Sequence, residues 1–366
     1  MRIALIAPLV TSIAQPYVGG SQALVAELAR GLVKRGHTVT LFARQGSFVP
    51  GVTIEIVQVP DAVQPANFAG PARERPADSG FFAQANRFLQ LFLELRQRQG
   101  EFDIVHAHAF DWPAFVSSAL LTKLPILHTL HLPAVSPEIN EALRVLQQQG
   151  HPLTLITVSK ACARTYADYI PMDAVIYNGL DSSTIPFVAS VPEDAPLLFA
   201  GRIAPEKGVE AAIEIARLAG HHLLIAGGVY DAIYYNERIV PLLKQFGEHI
   251  TYLGQLEHTQ LWQCMGQALG LLFPIEWDEP FGLVAVEAMA TGTPVIAFRR
   301  GAAEEIILTG ETGFLVEAGN RVQAAEQVAL LARLSRTRCR AHVEHYFSFE
   351  HMLDEHERLY TQQIRR

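Results

Sequence analysis

Short, largely apolar runs alternate with helical-period segments along almost the whole chain. The apolar runs cover 2–7, 38–43, 52–57, 104–106, 126–129, 155–158 and 175–177, and helical patterns fill 20–35 and 84–97. A strand that is apolar on both sides must be covered on both faces, so the alternation calls for a parallel sheet with helices above and below. The pattern breaks once, over 181–196, where Pro186, Pro192 and Pro196 stand among acids and few apolar residues. This stretch reads as an interdomain linker. A second strand–helix series follows: strands at 197–200, 222–226, 250–253, 269–273 and 294–297, helices at 209–218, 239–246, 259–265 and 283–290. The expected fold class is α/β, two doubly wound Rossmann-like domains facing across a cleft. The expected domains are 1–185 and 186–348, with a charged helix over 349–366 returning to the first.

Composition narrows the function. A net charge of −8 over 366 residues excludes broad nucleic-acid binding and tight binding to anionic membrane, so any phosphate site must be built locally. Cys162, Cys264 and Cys339 are odd in number, with no CxxC and no zinc spacing, which points to a reducing compartment. The first apolar run ends at Pro8, too soon for a signal peptide, and no run nears the ~20 residues of a membrane span. The expectation is a cytoplasmic protein without a transmembrane segment. Oligomeric state is not legible.

Glu279 and Glu287 flank Pro280-Phe281-Gly282-Leu283, in a loop that leaves a strand and opens a helix. The free N–H groups of a helix start suit an anion such as a diphosphate. Carboxylates beside that anion repel it but accept hydrogen bonds from hydroxyls, and diphosphate plus hydroxyls describes a sugar nucleotide. Two glutamates at this spacing also arise by chance; the strand–loop–helix setting is what makes them specific. The loop from Gly201 to Gly208 carries Arg202 and Lys207 between a strand and a helix, where both can stabilise a departing phosphate. A solvated loop with two surface cations is the plain alternative.

Gly19 and Gly20 precede the first helix, and a Gly-Gly pair lets backbone approach a ligand or merely turns the chain. His106 and His108 share a face of one strand, with no third ligand to make them a metal site. His128 and His131 close the next strand on the same rim, where they line an acceptor pocket or simply sit. Gly227-Gly228 and Gly254-Gln255-Leu256 end two further strands and are weak signals alone. There is no D-x-D, nucleophile elbow or Walker-type phosphate loop.

The run E-P-F-G-x-x-x-x-E at 279–287, preceded by G-R-x-x-x-x-K-G at 201–208, resembles the retaining glycosyltransferases of family 4, whose fold is called GT-B. The resemblance extends over essentially the whole chain and is strongest over 199–314. It implies a transfer without metal or other cofactor, from a nucleoside diphosphate sugar, UDP-sugar favoured, to a hydroxyl of a glycan, lipid or small metabolite. It gives Glu279 the sugar's 3- and 4-hydroxyls and Arg202 and Lys207 the diphosphate. His108 becomes the active-site histidine near the 6-hydroxyl. Glu287 goes to the ribose; Gly20, Gly201, Gly228, Leu256, Phe281, Gly282 and Leu283 complete the donor site. Gly19 and His131 are acceptor candidates, with the loops at 15–20, 68–82 and 131–138 shaping that side and 70–80 a candidate mobile loop. The segment at 301–305 departs from the family's G-G-x-x-E at Ala302, which leaves its role open. Two alternatives share the fold: a sugar-nucleotide 2-epimerase, and a non-catalytic sugar-nucleotide binding subunit.

Overall fold

A computed structural model describes residues 1–15, 17, 19–60 and 78–365. The chain divides into two compact units, Met1–Tyr177 with Met352–Arg366, and Asn178–His351. Most of the 70–80 loop lies outside the described residues, and from Asp78 onward the chain is already helical, in Asp78–Gln97.

The first unit is built on seven parallel strands: β1 (Arg2–Ile6), β2 (Thr38–Arg44), β3 (Thr53–Val57), β4 (Ile104–Ala107), β5 (Ile126–Leu130), β6 (Leu153–Thr157) and β7 (Ala174–Val175). Their order is β3-β2-β1-β4-β5-β6-β7. Ile3, Leu5, Leu41, Val105 and Leu127 are fully buried, as strands covered on both faces require. Phe88, Phe92 and Leu95 of the helix Asp78–Gln97 pack with Ile6, Phe42 and Val105 on one side. Phe115, Leu143 and Tyr166 pack with Leu130 and Leu155 on the other.

The helix Phe349–Arg365 begins in the second unit, and from Met352 on it belongs to the first. It reads as charged in sequence, yet its stripe of Met352, Leu353, His356, Leu359 and Tyr360 is buried. Glu357 accepts from Arg35 Nη1 at 2.6 Å, and Arg35 also reaches Asp354 at 2.7 Å.

The second unit has six parallel strands: β8 (Leu197–Ala200), β9 (Leu223–Ala226), β10 (Ile250–Gly254), β11 (Gly270–Phe273), β12 (Val295–Phe298) and β13 (Gly313–Val316), in the order β10-β9-β8-β11-β12-β13. Its helix Val209–Ala219 buries Val209, Ala212, Ile213 and Ala216, the i, i+3, i+4, i+7 stripe, and stops at the left-handed Gly220.

The proline-rich segment at 181–196 is not a free linker. Arg340 donates to the carbonyls of Ser182 (2.6 Å) and Ile185 (3.1 Å), and Arg336 Nε to that of Val188 (2.7 Å). Val188 N–H donates to Thr291 O at 3.0 Å, and Ile185 is buried. Two arginines more than 140 residues away thus strap this segment to the second unit. The units accordingly part at 177/178 and 351/352, not at the expected 185/186 and 348/349. No helix among the described residues is long and apolar enough to cross a membrane.

Candidate active site

In each sheet the strand order reverses direction once, between β1 and β4 and between β8 and β11. Loops leaving the two central strands diverge there and open a crevice at their carboxyl ends, where open α/β sheets bind ligands. The motif loops fall at these reversals. In the second unit the loop after β8 carries Arg202 and Lys207, and the loop after β11 carries Glu279.

Those two loops touch, and glycines let them meet each other and the loop after β12. Gly208 takes φ +75°, and a Cβ there would lie 1.9 Å from the carbonyl oxygen of Pro274, so only glycine lets the two backbones meet. Glu276 N–H donates to Glu206 O at 3.0 Å across the same seam. Gly301, at φ +54°, packs on Glu279, where a Cβ would lie 2.4 Å from its backbone N and O. Ala302 N–H then donates to Glu279 O at 2.9 Å. The 301–302 segment therefore works through its backbone, and a methyl at position 302, fully buried, does not disturb it.

Lys207 Nζ lies 2.6 Å from Glu279 Oε2, and both side chains are only 14% exposed. The Trp277 indole donates to that same oxygen at 2.5 Å, and Lys207 lies 5.3 Å from the Trp277 ring centre. One carboxylate oxygen thus takes both donors and Oε1 is left for a third. Lys207 is a cation already committed to a carboxylate. Arg202 sits over the Tyr230 ring at 4.2 Å and faces Glu206 at 3.6 Å, too long for a hydrogen bond, so its fork remains largely open.

Around this pair the strand ends line up. Gly201 N–H donates to Ala226 O (3.0 Å), Gly227 N–H to Gly254 O (2.8 Å) and Ile203 N–H to Gly228 O (2.9 Å). Leu256 is half-buried just beyond. Gly282 caps the helix Leu283–Thr291, whose first amides have no partner within the helix. Phe281 is buried against Phe347, which anchors the loop; its ring serves packing. Glu287 is the fifth residue of that helix. Burial pushes its carboxyl up to about 7, against which the neighbouring Trp262 indole acts. That indole N–H lies outside hydrogen-bond geometry, since Trp262 Nε1 is buried without a partner.

In the first unit, β4 ends in a histidine cluster. His106 and His108 face the same way, their rings 4.0 Å apart. His106 is a satisfied core residue, bonded to Tyr360 Oη (2.6 Å) and Thr129 Oγ1 (2.7 Å). His108, 1% exposed, bonds through Nδ1 to His131 Nε2 at 2.9 Å, and its Nε2 has no partner. His128 does not share this rim. It lies within β5 (odd spacing from His131 turns it to the other face), fully buried beside Phe115, and burial pushes it down to about 3. Gly19 is extended and Gly20 opens the helix Gly20–Lys34; Pro16 and Val18 between them and β1 lie outside the described residues.

Sequence reading missed Trp277, Trp262 and Tyr230 beside the loops of the second unit, and Tyr360 beside the histidines of the first. An aromatic two residues before Glu279 is the one signal that local spacing offered. Among the described residues no group of three His, Cys, Asp or Glu side chains is placed to hold a metal.

Comparison with known proteins fits this geometry. Residues 18–184 match the family described as Glycosyltransferase Family 4, and residues 183–343 match Glycosyl transferases group 1. The chain is 28% identical over 334 residues to a glycogen synthase of Mycobacterium tuberculosis, covering 81% of this chain and 78% of that protein. Its fold is similar to sucrose-phosphate synthase of Thermosynechococcus elongatus, with a TM-score of 0.80 over 99% of both chains at 22% identity. It is also similar to Anabaena HepE in complex with UDP, with a TM-score of 0.74 over 99% of this chain and 100% of that one at 18% identity. These are two-domain GT-B folds. Two matches that together run from 18 to 343, and take in the loops at both strand-order reversals, make the chain a member of glycosyltransferase family 4.

Proposed function

We propose that this glycosyltransferase moves a sugar from a UDP-sugar to a hydroxyl acceptor with retention of anomeric configuration and without a metal. The observation that carries the reading is the Lys207–Glu279 contact across the β8/β11 reversal, which puts a cation and a hydroxyl acceptor side by side. Glu279 Oε1 takes the sugar's hydroxyls while Trp277 holds Oε2 in place. Lys207, Arg202 and the amides opening Leu283–Thr291 take the diphosphate. Lys207 must turn from Glu279 to do so, which frees the carboxylate as the phosphate arrives. Glu287, once ionised, accepts from the ribose hydroxyls. His108 serves the 6-hydroxyl.

The reaction breaks the bond from the anomeric carbon to the phosphate oxygen and forms one to the acceptor oxygen on the same face. The acceptor's proton goes to the leaving phosphate, so no enzymic nucleophile is required. The cations stabilise the charge that grows on that phosphate. A uridine nucleotide is favoured by the likeness to Anabaena HepE, whose structure holds UDP.

The test is a panel of nucleotide sugars with excess chelator, read by thermal protection and then by proton NMR of the first product. Protection by UDP and an α-linked product from an α-linked donor are expected. Loss of both binding and turnover with chelator would refute the metal-free reading, and a β-linked product would refute retention.

A further inference from the structure

We infer that Tyr230 is a positioning residue for the diphosphate: its ring holds the Arg202 guanidinium at the strand ends of the second unit and leaves the hydrogen-bond donors of that guanidinium open. The inference rests on the reading that Arg202 meets the diphosphate, and every residue in it belongs to the second unit.

Tyr230 is 43% exposed, so its ring adds little to the core. What it touches is Arg202, whose Cζ stands 4.2 Å over the ring centre. The two cations of this site are held in opposite ways. Lys207 Nζ is committed to Glu279 Oε2 at 2.6 Å. Arg202 faces Glu206 at 3.6 Å, beyond hydrogen-bond reach. An aromatic face attracts a cation through its quadrupole and asks for no directed N–H bond in return. The five N–H donors of a guanidinium lie in a fixed planar fork, which suits a phosphate taken bidentately. A phosphate can therefore take the edge of the fork while the ring keeps the cation in place.

The backbone fixes where ring and guanidinium meet. Ile203 N–H donates to Gly228 O at 2.9 Å, and Ile203 O accepts from Tyr230 N–H and Asp231 N–H, both at 3.2 Å. Ile203 is fully buried, so residues 202 and 230 leave one clasp between the ends of β8 and β9. The clasp is tight, since a Cβ on Gly227 would lie 1.7 Å from Gly201 O. Asp231, beside the ring, accepts from Tyr234 N–H at 2.9 Å and caps the short helix Ala232–Tyr234. An unanchored arginine loses rotamer freedom when it grips a phosphate. The ring removes part of that freedom before the nucleotide arrives.

The test is titration calorimetry of UDP, ADP and GDP on the full chain, with Tyr230→Ala, Tyr230→Phe, Arg202→Ala and the Arg202→Ala/Tyr230→Ala double variant. Tyr230→Ala should weaken whichever diphosphates bind by about two- to fivefold, the worth of an exposed cation–π contact, and by the same factor for each, because the diphosphate is common to them. Tyr230→Phe keeps the ring and should keep the wild-type affinity. Arg202→Ala should weaken binding about 10- to 100-fold, as the loss of charge-assisted hydrogen bonds does. Removing Tyr230 from that variant should then change nothing further. A second loss in the double variant would overturn the inference, because Tyr230 would then touch the nucleotide itself. Wild-type affinity in Tyr230→Ala, or a Tyr230→Phe as weak as Tyr230→Ala, would also overturn it. If Arg202→Ala binds as tightly as the wild type, the assignment of Arg202 to the diphosphate is what fails.

Discussion

Glu287→Gln should make the protein more stable and a poorer nucleotide binder, with a gap in stability that opens with pH. Burial holds the Glu287 carboxyl at about 7 in the folded chain, against an ordinary value near 4.5. A raised carboxyl means that the folded state binds the proton more tightly than the unfolded one. Below pH 4.5 both states are protonated and no stability is lost. Between 4.5 and 7 stability falls as the folded state is forced to ionise, and above 7 the loss is complete. Each pH unit is worth ~1.4 kcal/mol, so the ionised carboxylate costs ~3 kcal/mol at pH 8. Glutamine has the same shape and never ionises. Urea unfolding of both proteins at pH 4.5, 6, 7 and 8 measures the gap. Two of the three tryptophans, Trp262 and Trp277, lie in the second unit, so tryptophan fluorescence mostly follows the relevant unit. The variant should match the wild type at pH 4.5 and exceed it by ~3 kcal/mol at pH 8. UDP should bind it ~10- to 100-fold more weakly, the value of charge-assisted hydrogen bonds to the ribose. A gap that does not change with pH would refute the burial argument.

Two further outcomes follow from the same unit. Lys207→Met alone strands the Glu279 carboxylate and should cost ~1–3 kcal/mol, much of it recovered in Lys207→Met/Glu279→Gln, as a double-mutant cycle of urea unfolding would measure; a coupling below ~0.5 kcal/mol would show that the 2.6 Å contact contributes nothing to stability. Gly227→Ala should cost ~3 kcal/mol or more, because its Cβ would fall 1.7 Å from Gly201 O, whereas Gly254→Ala, left-handed but facing open space, should cost only ~1–2 kcal/mol; equal midpoint shifts in thermal unfolding would refute the close-approach argument.

Both sheets were legible because most of their strands are short runs buried on both faces, the edge strands β3, β7 and β10 excepted, a pattern that survives without knowledge of partners. The segment at 181–196 was misread for the opposite reason. Its prolines and acids describe an extended chain, and nothing local tells that Arg336 and Arg340 will hold it. His106 and His108 could be placed together from their spacing of two, and the same rule of alternation, applied to His128 and His131, separates them. The motifs put Lys207 and Glu279 in strand-to-helix loops, but the two residues are 72 positions apart, and their pairing depends on β8 and β11 being neighbours. That adjacency is a matter of topology. Trp277 meets Glu279 within one loop, two residues away, whereas Tyr360 reaches His106 across 254 residues only because the last helix packs on the first unit.

The buried stripe of Phe349–Arg365 also orders events during synthesis. Tyr360 closes the hydrogen bond to His106, and Glu357 holds Arg35, so the first unit lacks part of its interior until the ribosome has passed residue 360. The whole of 178–351 emerges in the meantime. At ~5–20 residues per second that interval is roughly 10–35 s, long compared with the folding of most domains. The nascent first unit must wait through it with His106 uncovered, while the second, continuous in sequence, can finish on its own. A chain stalled or truncated before residue 352 would therefore present a completed second unit and an unfinished first one, and chaperone capture should map to the amino-terminal half.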